Sequence, residues 1–192
     1  MTDDASLLAM HRAARDAFGT LVHGVAADGW GASTPCSDWD VRALVGHVVD
    51  EQRWVLPLLG EQRTVADVGD ALAGDALGED PAAAWDREAA AAYAVWDAPG
   101  ALERDVALSR GPTPARAYAT EMLTDLVVHG WDLAQGSGQP FTFDEPTAQL
   151  LYDFWQPHAA MLAESGMFAP PVELSADAPA SARLLALSGR QP

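Results

Sequence analysis

Leu7, Leu8, His11, Ala14, Phe18, Leu21, Val22 and Val25 fall at spacings of three and four along residues 5–27. That is the period at which one face of an α-helix becomes apolar. The period returns at Val41, Leu44, Val45, Val48, Gln52, Val55 and Leu59, so the chain must bury one helical stripe against another. Gly29-Trp30-Gly31 ends the first helix, and Ser37 is expected to cap the second, with Asp40 at N3 and Cys36 and Val41 as its hydrophobic staple. Helix 2 is expected to run to about Leu59, with Pro57 bending its last turn. Residues 60–80, rich in Gly, Asp and Ala, read as a linker with room for a short helical turn. Pro81 opens a third helix that runs to Trp96 and is closed by Pro99-Gly100. Leu102 to Leu108 alternates weakly, as an extended crossover would. Thr113 as N-cap and Pro114 at N1 open a fourth helix, which ends in Gly136-Ser137-Gly138-Gln139-Pro140. A fifth fits Glu145 to Glu164, and a tail from Ser165 carries a short helical piece around Ala182 to Leu187.

The expected fold is therefore all-α: a four-helix bundle with an added C-terminal helix and tail. It reads as one domain over 1–192, with the bundle core at about 1–140 and the C-terminal helix and tail at 141–192. An apolar content of 49% supplies a real core. The 11 basic residues, all Arg, stand against 28 acidic ones, giving a net charge of −17. A phosphate backbone or an anionic membrane would be repelled, so nucleic acid and membrane partners are not expected. No apolar run reaches the roughly 20 residues of a spanning helix. The acidic start MTDDASLLAM lacks the character of a signal peptide, and a cytoplasmic protein is expected. The single cysteine, Cys36, permits neither an intrachain disulfide nor a multi-cysteine zinc site.

Chemistry concentrates in helix 4. Asp125 and His129 are four residues apart and share a face of a helix that is apolar nearly all round. An ionised Asp125 in such a helix needs a partner, and no Arg occurs between Arg116 and Arg183. The two residues can bond each other or face a wet groove. They can also share a cation with His47, which lies beside the apolar stripe of helix 2. Two imidazoles and one carboxylate suit zinc with an open position, or a two-His-one-carboxylate iron site. Glu51 lies one turn beyond His47, as a partner of the ligands, a general base or a solvated flank. Cys36 is too far along the helix to share a metal with His47 and reads as structural.

The run Thr34-Pro35-Cys36-Ser37-Asp38-Trp39-Asp40-Val41-Arg42-Ala43-Leu44-Val45-Gly46-His47-Val48, together with Asp125-xxx-His129-Gly130-Trp131-Asp132-Leu133-Ala134, resembles the mycothiol-dependent maleylpyruvate isomerase metal-binding domain family of the DinB-like metalloprotein superfamily. The ending Asp177-Ala178-Pro179 with Leu184-Leu185-Ala186-Leu187-Ser188-Gly189-Arg190 is similar to one uncharacterised actinobacterial branch of it. The resemblance implies a DinB-like four-helix bundle whose metal, usually zinc, is held by His47, Asp125 and His129, with Asp125 standing where many relatives have Glu. Other divalent ions, Ni2+ or Fe2+, suit the same donors. No separate C-terminal domain, such as the isomerase itself has, is expected after the tail.

On this reading the chain is a zinc-binding protein that acts as a mycothiol-dependent transferase or isomerase on a small electrophile. The alternatives are a non-catalytic metal-dependent binding or stress protein and a metal-dependent hydrolase. Glu51 is the candidate catalytic residue. Trp54, Arg42 and Arg53 are the candidate thiol-binding or acceptor-binding residues, around a pocket between helices 1, 2 and 4 walled partly by Trp54 and Tyr118. The expected partners are a small-molecule thiol and an electrophile, with monomer and homodimer both open.

Overall fold

The computed structural model describes residues 2–165, 169–175 and 177–192. They divide into two compact units, Asp3–Phe141 and Thr142–Pro192.

The first unit is a bundle of four long helices: α1 (Asp4–His23), α2 (Val41–Val55), α4 (Pro81–Trp96) and α5 (Ala115–Ser137). Between α2 and α4 lies a single-turn helix, α3 (Val65–Val68), with a 3-10 turn at Gly69–Leu72. Helix α1 packs on α5 and α4, and α2 packs on the same two, so the four close into a square with α1 diagonal to α2. The core is the meeting of their apolar stripes: Phe18, Leu21 and Val22 with Val41, Leu44, Val45, Val48 and Val49, and with Trp85, Leu126 and Leu133. Close approach needs small residues at two crossings. A Cβ on Gly19 would lie 2.6 Å from Trp85 Nε1, and one on Gly136 would lie 3.0 Å from both Ser33 O and Val41 Cγ2. The second contact brings the C-terminal end of α5 onto the loop that leads into α2.

That loop differs from its sequence reading. Ser37 does not cap α2; Asp40 does, accepting a hydrogen bond from Ala43 N–H at 2.8 Å. Residues 34–39 are held instead as a turn, in which Trp39 N–H donates to Cys36 O (2.9 Å) and Thr34 Oγ1–H to Trp39 O (2.7 Å). Asp40 then pairs with Ser33 in an antiparallel bridge. The local bonds of the Thr34 hydroxyl outcompete an earlier helix start, and the cap passes to the next residue with a suitable carboxylate.

Beyond Val55, α2 continues as one π-helical turn, Leu56–Gly60, where Pro57 has no N–H for the regular ladder. Thr113 is likewise not the cap of the fourth helix. It pairs with Val106 in a hairpin of β1 (Asp105–Leu108) and β2 (Gly111–Pro114), and Pro114 occupies the cap position of α5. A residue that precedes proline is pushed out of the helical region, and here the extended conformation is used by the hairpin. Helix α5 ends at Gly138, whose φ of 69° is the left-handed C-cap that glycine adopts without strain.

In the second unit the expected single helix from 145 to 164 is broken into α6 (Glu145–Trp155), a 3-10 turn at Gln156–His158 and α7 (Ala159–Ser165). Pro157 sits in the break, where it removes a donor from the ladder. The short helical piece is α8 (Ala180–Leu187). Its first N–H groups are capped from α6: Glu145 accepts from Ala180 N–H at 2.7 Å and also from the Ser181 hydroxyl. Among the described residues no helix is long and apolar enough to cross a membrane.

The cap assignment is testable. Asp40→Ala should destabilise the protein by about 1 kcal/mol in chemical denaturation, and Asp40→Asn should recover most of it. Ser37→Ala should cost much less.

Candidate metal centre

Helix α5 is buried on most of its circumference. Met122, Leu123, Leu126, Val127, Val128 and Leu133 are all at most 1% exposed. Through this apolar helix run three polar residues at helical spacing: Asp125, His129 and Asp132. Asp132 is fully buried, and its Oδ2 lies 3.1 Å from His129 Nδ1. A carboxylate there accepts a hydrogen bond from Nδ1–H and so favours the tautomer whose Nε2 lone pair faces away from Asp132.

Helix α2 crosses opposite and presents His47. Its Nε2 lies 3.8 Å from Asp125 Oδ2, and its ring meets that of His129 edge to face with centroids 5.2 Å apart. One ligand atom from each of His47, Asp125 and His129 falls within 4.8 Å of the others. Ligands held about 2.1 Å from a common ion are roughly 3 to 4 Å apart, so small side-chain rotations close the set. Trp39, from the loop before α2, roofs it. Its indole stacks on His47 at 4.6 Å with a 29° interplanar angle and tilts against His129 at 5.5 Å.

The electrostatics favour a cation. Burial lowers the His47 pKa; the Asp125 charge opposes that and His129 adds to it, so the imidazole is neutral and able to donate a lone pair. Burial, first, and then the negative charges of Asp125, Asp50 and Glu121 raise Glu51 to about 7. The nearby arginines are already engaged. Arg110 forks onto Glu121 at 2.6 and 2.7 Å, and Arg53 binds Asp50 (3.1 Å) and Leu72 O (3.0 Å). Among the described residues no arginine pairs with Asp125. Two imidazoles, a carboxylate with no arginine partner among the described residues and an excess of negative charge fit a divalent ion of the zinc type.

A cleft of about 550 Å³ opens beside His47, lined by Trp39, Arg42, Gly46, Asp50, Asp75 and Leu77 among others. Arg42 is on its wall, bound to Asp75 (2.7 Å) and Gly78 O (2.8 Å). With Arg53 on Leu72 O, it straps the 72–78 segment to α2. Trp54 is half-buried on α2, and no ring contact joins it to the histidines. Tyr118 is 4% exposed, inside the bundle and not on the cleft wall. Cys36 is half-buried in the turn before α2. The sequence reading gives Asp132 no role and offers Trp39 only as one of several tryptophans able to wall a pocket or fill the core. Asp132 was detectable as a carboxylate three residues after His129, whereas the contacts of Trp39 depend on how its loop folds back.

Comparison with known proteins agrees with this picture. The sequence profile of the mycothiol maleylpyruvate isomerase N-terminal domain matches residues 11–134. Two uncharacterised proteins of Mycobacterium tuberculosis, from strains CDC 1551 and H37Rv, are each 31% identical over 141 residues, covering 73% of this chain and 72% of the relative. No solved structure gives a significant match.

Titration of the metal-free protein with Zn2+ or Co2+ tests the site. His47→Ala should abolish one-to-one binding. Asp132→Asn should keep the stoichiometry and weaken affinity by about 10- to 100-fold, because it removes the negative charge behind His129 while leaving an oxygen acceptor. A chelator should lower the melting temperature of the loaded protein, since free metal at about 100 times Kd stabilises the fold by about 2.7 kcal/mol.

Proposed function

Because the chain belongs to the mycothiol maleylpyruvate isomerase N-terminal domain family, we propose that it is a cytoplasmic zinc-binding protein that uses mycothiol, or a thiol like it, to attack a small electrophile. The observation that carries this reading is the convergence of His47, Asp125 and His129 from two facing helices, beside a cleft. His47, Asp125 and His129 would hold the ion, which would supply the Lewis acidity to keep a thiol as thiolate at neutral pH.

The protein's own residues supply the rest. Asp132 holds the His129 ring and tautomer, and Trp39 covers the two imidazoles and keeps bulk water off one side. Glu51 is the general base in this proposal. Its pKa of about 7 lets its carboxylate accept the thiol proton near neutral pH and give it back to the product. The electrophile enters by the cleft over Gly46, between Trp39 and Leu77, with Arg42 on the rim. In this reading Arg53 acts at a distance, by fastening the 72–78 segment that forms the far wall.

Calorimetry with mycothiol, followed by transfer assays on a panel of electrophiles, tests the proposal. Glu51→Gln should retain metal stoichiometry and slow turnover by at least about 100-fold. If mycothiol neither binds the loaded protein nor is transferred, the site belongs to a metal-dependent binding protein or to a hydrolase that activates water.

Glu51 also sets a pH signature in the metal-free protein. Its pKa is raised on folding, from 4.5 to about 7, so the folded state binds the proton more tightly than the unfolded state. Its contribution is most favourable below pH 4.5 and is lost as pH rises toward 7. Denaturation of wild type and Glu51→Gln across pH 4.5–7.5 should show the wild type losing stability relative to the variant as pH rises. Parallel curves would mean that Glu51 is not buried as described.

A further inference from the structure

One layer of the bundle has no role in the metal centre. Five buried polar atoms in this unit lack a hydrogen-bond partner among the described residues: both ring nitrogens of His11, Gln52 Nε2, Trp96 Nε1 and Tyr118 Oη. The four side chains come one from each bundle helix, α1, α2, α4 and α5, and are between 1% and 4% exposed. The ring of Trp96 lies between the other two aromatic members, 5.7 Å from His11 and 5.5 Å from Tyr118.

Helix geometry sets the depth of the layer. Helices α2 and α5 run antiparallel, since Val41 is beside Gly136 while His47 faces Asp125. Gln52 is five residues past His47, and Tyr118 is seven before Asp125. At 1.5 Å per residue Gln52 lies about 7.5 Å along its helix from His47 and Tyr118 about 10.5 Å from Asp125, toward the same end of the bundle.

A buried donor left unpaired is costly, and native interiors leave few of them. Four helices that each direct one such group into the same level therefore point to something bound there. The inventory limits what it is. Trp96 Nε1–H and Gln52 Nε2–H only donate, and Tyr118 Oη donates or accepts. His11 is held neutral by burial, so it offers one N–H and one bare nitrogen. The occupant must both accept and donate. A cation has nothing to offer three donors, and an anion is opposed by the charges of Glu51, Asp125 and Glu121, all of which bear on Tyr118.

We infer that His11, Trp96 and Tyr118, with Gln52 on the same level, form an internal hydration site beneath the metal centre. Ordered water there bridges the four helices and solvates the inner side of the acidic cluster around Glu51. This does not depend on mycothiol, or on catalysis of any kind.

Tyr118→Phe separates a wet layer from a dry one, because it removes the hydroxyl and leaves the shape. An unpaired hydroxyl in a dry core is a burden, so its deletion would raise the melting temperature. A hydroxyl bonded to water is an asset, and its deletion should lower it. Gln52→Met, a swap of similar volume, should act in the same direction. NMR of the full wild-type chain gives an independent reading. The Trp96 indole N–H, assigned by its loss in Trp96→Phe, should show a cross-peak to a long-lived water. A Tyr118→Phe protein that melts at or above the wild-type temperature overturns the hydration site, as does an assigned Trp96 N–H without a water cross-peak.

Discussion

Three polar residues in one apolar helix control much of this molecule. Helix α5 has too little hydrophilic surface to lie at the edge of the bundle, so Asp125, His129 and Asp132 enter the interior with it. Once there they have to be satisfied. Asp132, wholly buried, takes the Nδ1 side of His129, and the opposite nitrogen faces α2. Asp125 finds His47 at 3.8 Å, an approach too long for a strong hydrogen bond and well placed for two ligands of one ion. The packing of α2 on α5 and the donor set are thus consequences of the same burial.

The surroundings carry that constraint outward. With Asp50, Glu51, Glu121 and Asp125 gathered on one side of the bundle, the arginines that could neutralise them are used as struts. Arg110 holds Glu121 after the hairpin, and Arg53 ties Asp50 to the 72–78 segment. Among the described residues no cation pairs with Glu51, and burial with the neighbouring carboxylates pushes its pKa up to about 7. This is the kind of environment in which a carboxylate can exchange a proton at neutral pH. The chain belongs to the mycothiol maleylpyruvate isomerase N-terminal domain family.

Helices α1 and α2 were legible in the sequence from their 3.6-residue period, and α4 and α5 from the Pro that opens and the Gly that closes each of them. Pairing Asp125 with His129 needed only their spacing on one helix. Bringing His47 to them was an inference from a resemblance together with two amphipathic stripes. The errors came where local and tertiary preferences compete. Ser37 looked like a cap until the Thr34 hydroxyl closed its own turn, and Thr113 looked like one until Val106 supplied a strand partner. Pro157 interrupts a helix whose apolar pattern runs through it, since periodicity reports the buried face and not the missing N–H.

Sequence alone determined which residues are able to bind a metal and that they lie on two helices, because residue chemistry and helical spacing are local properties. Tertiary structure decided what surrounds them. Trp39 stacks on His47 only because the 34–40 turn folds back, and Tyr118 points into the core because α1, α4 and α5 converge there. Arg42 becomes a strut because the 72–78 segment returns to α2. Each of these contacts joins residues held apart by packing of whole helices or loops, and no period along the chain encodes that packing.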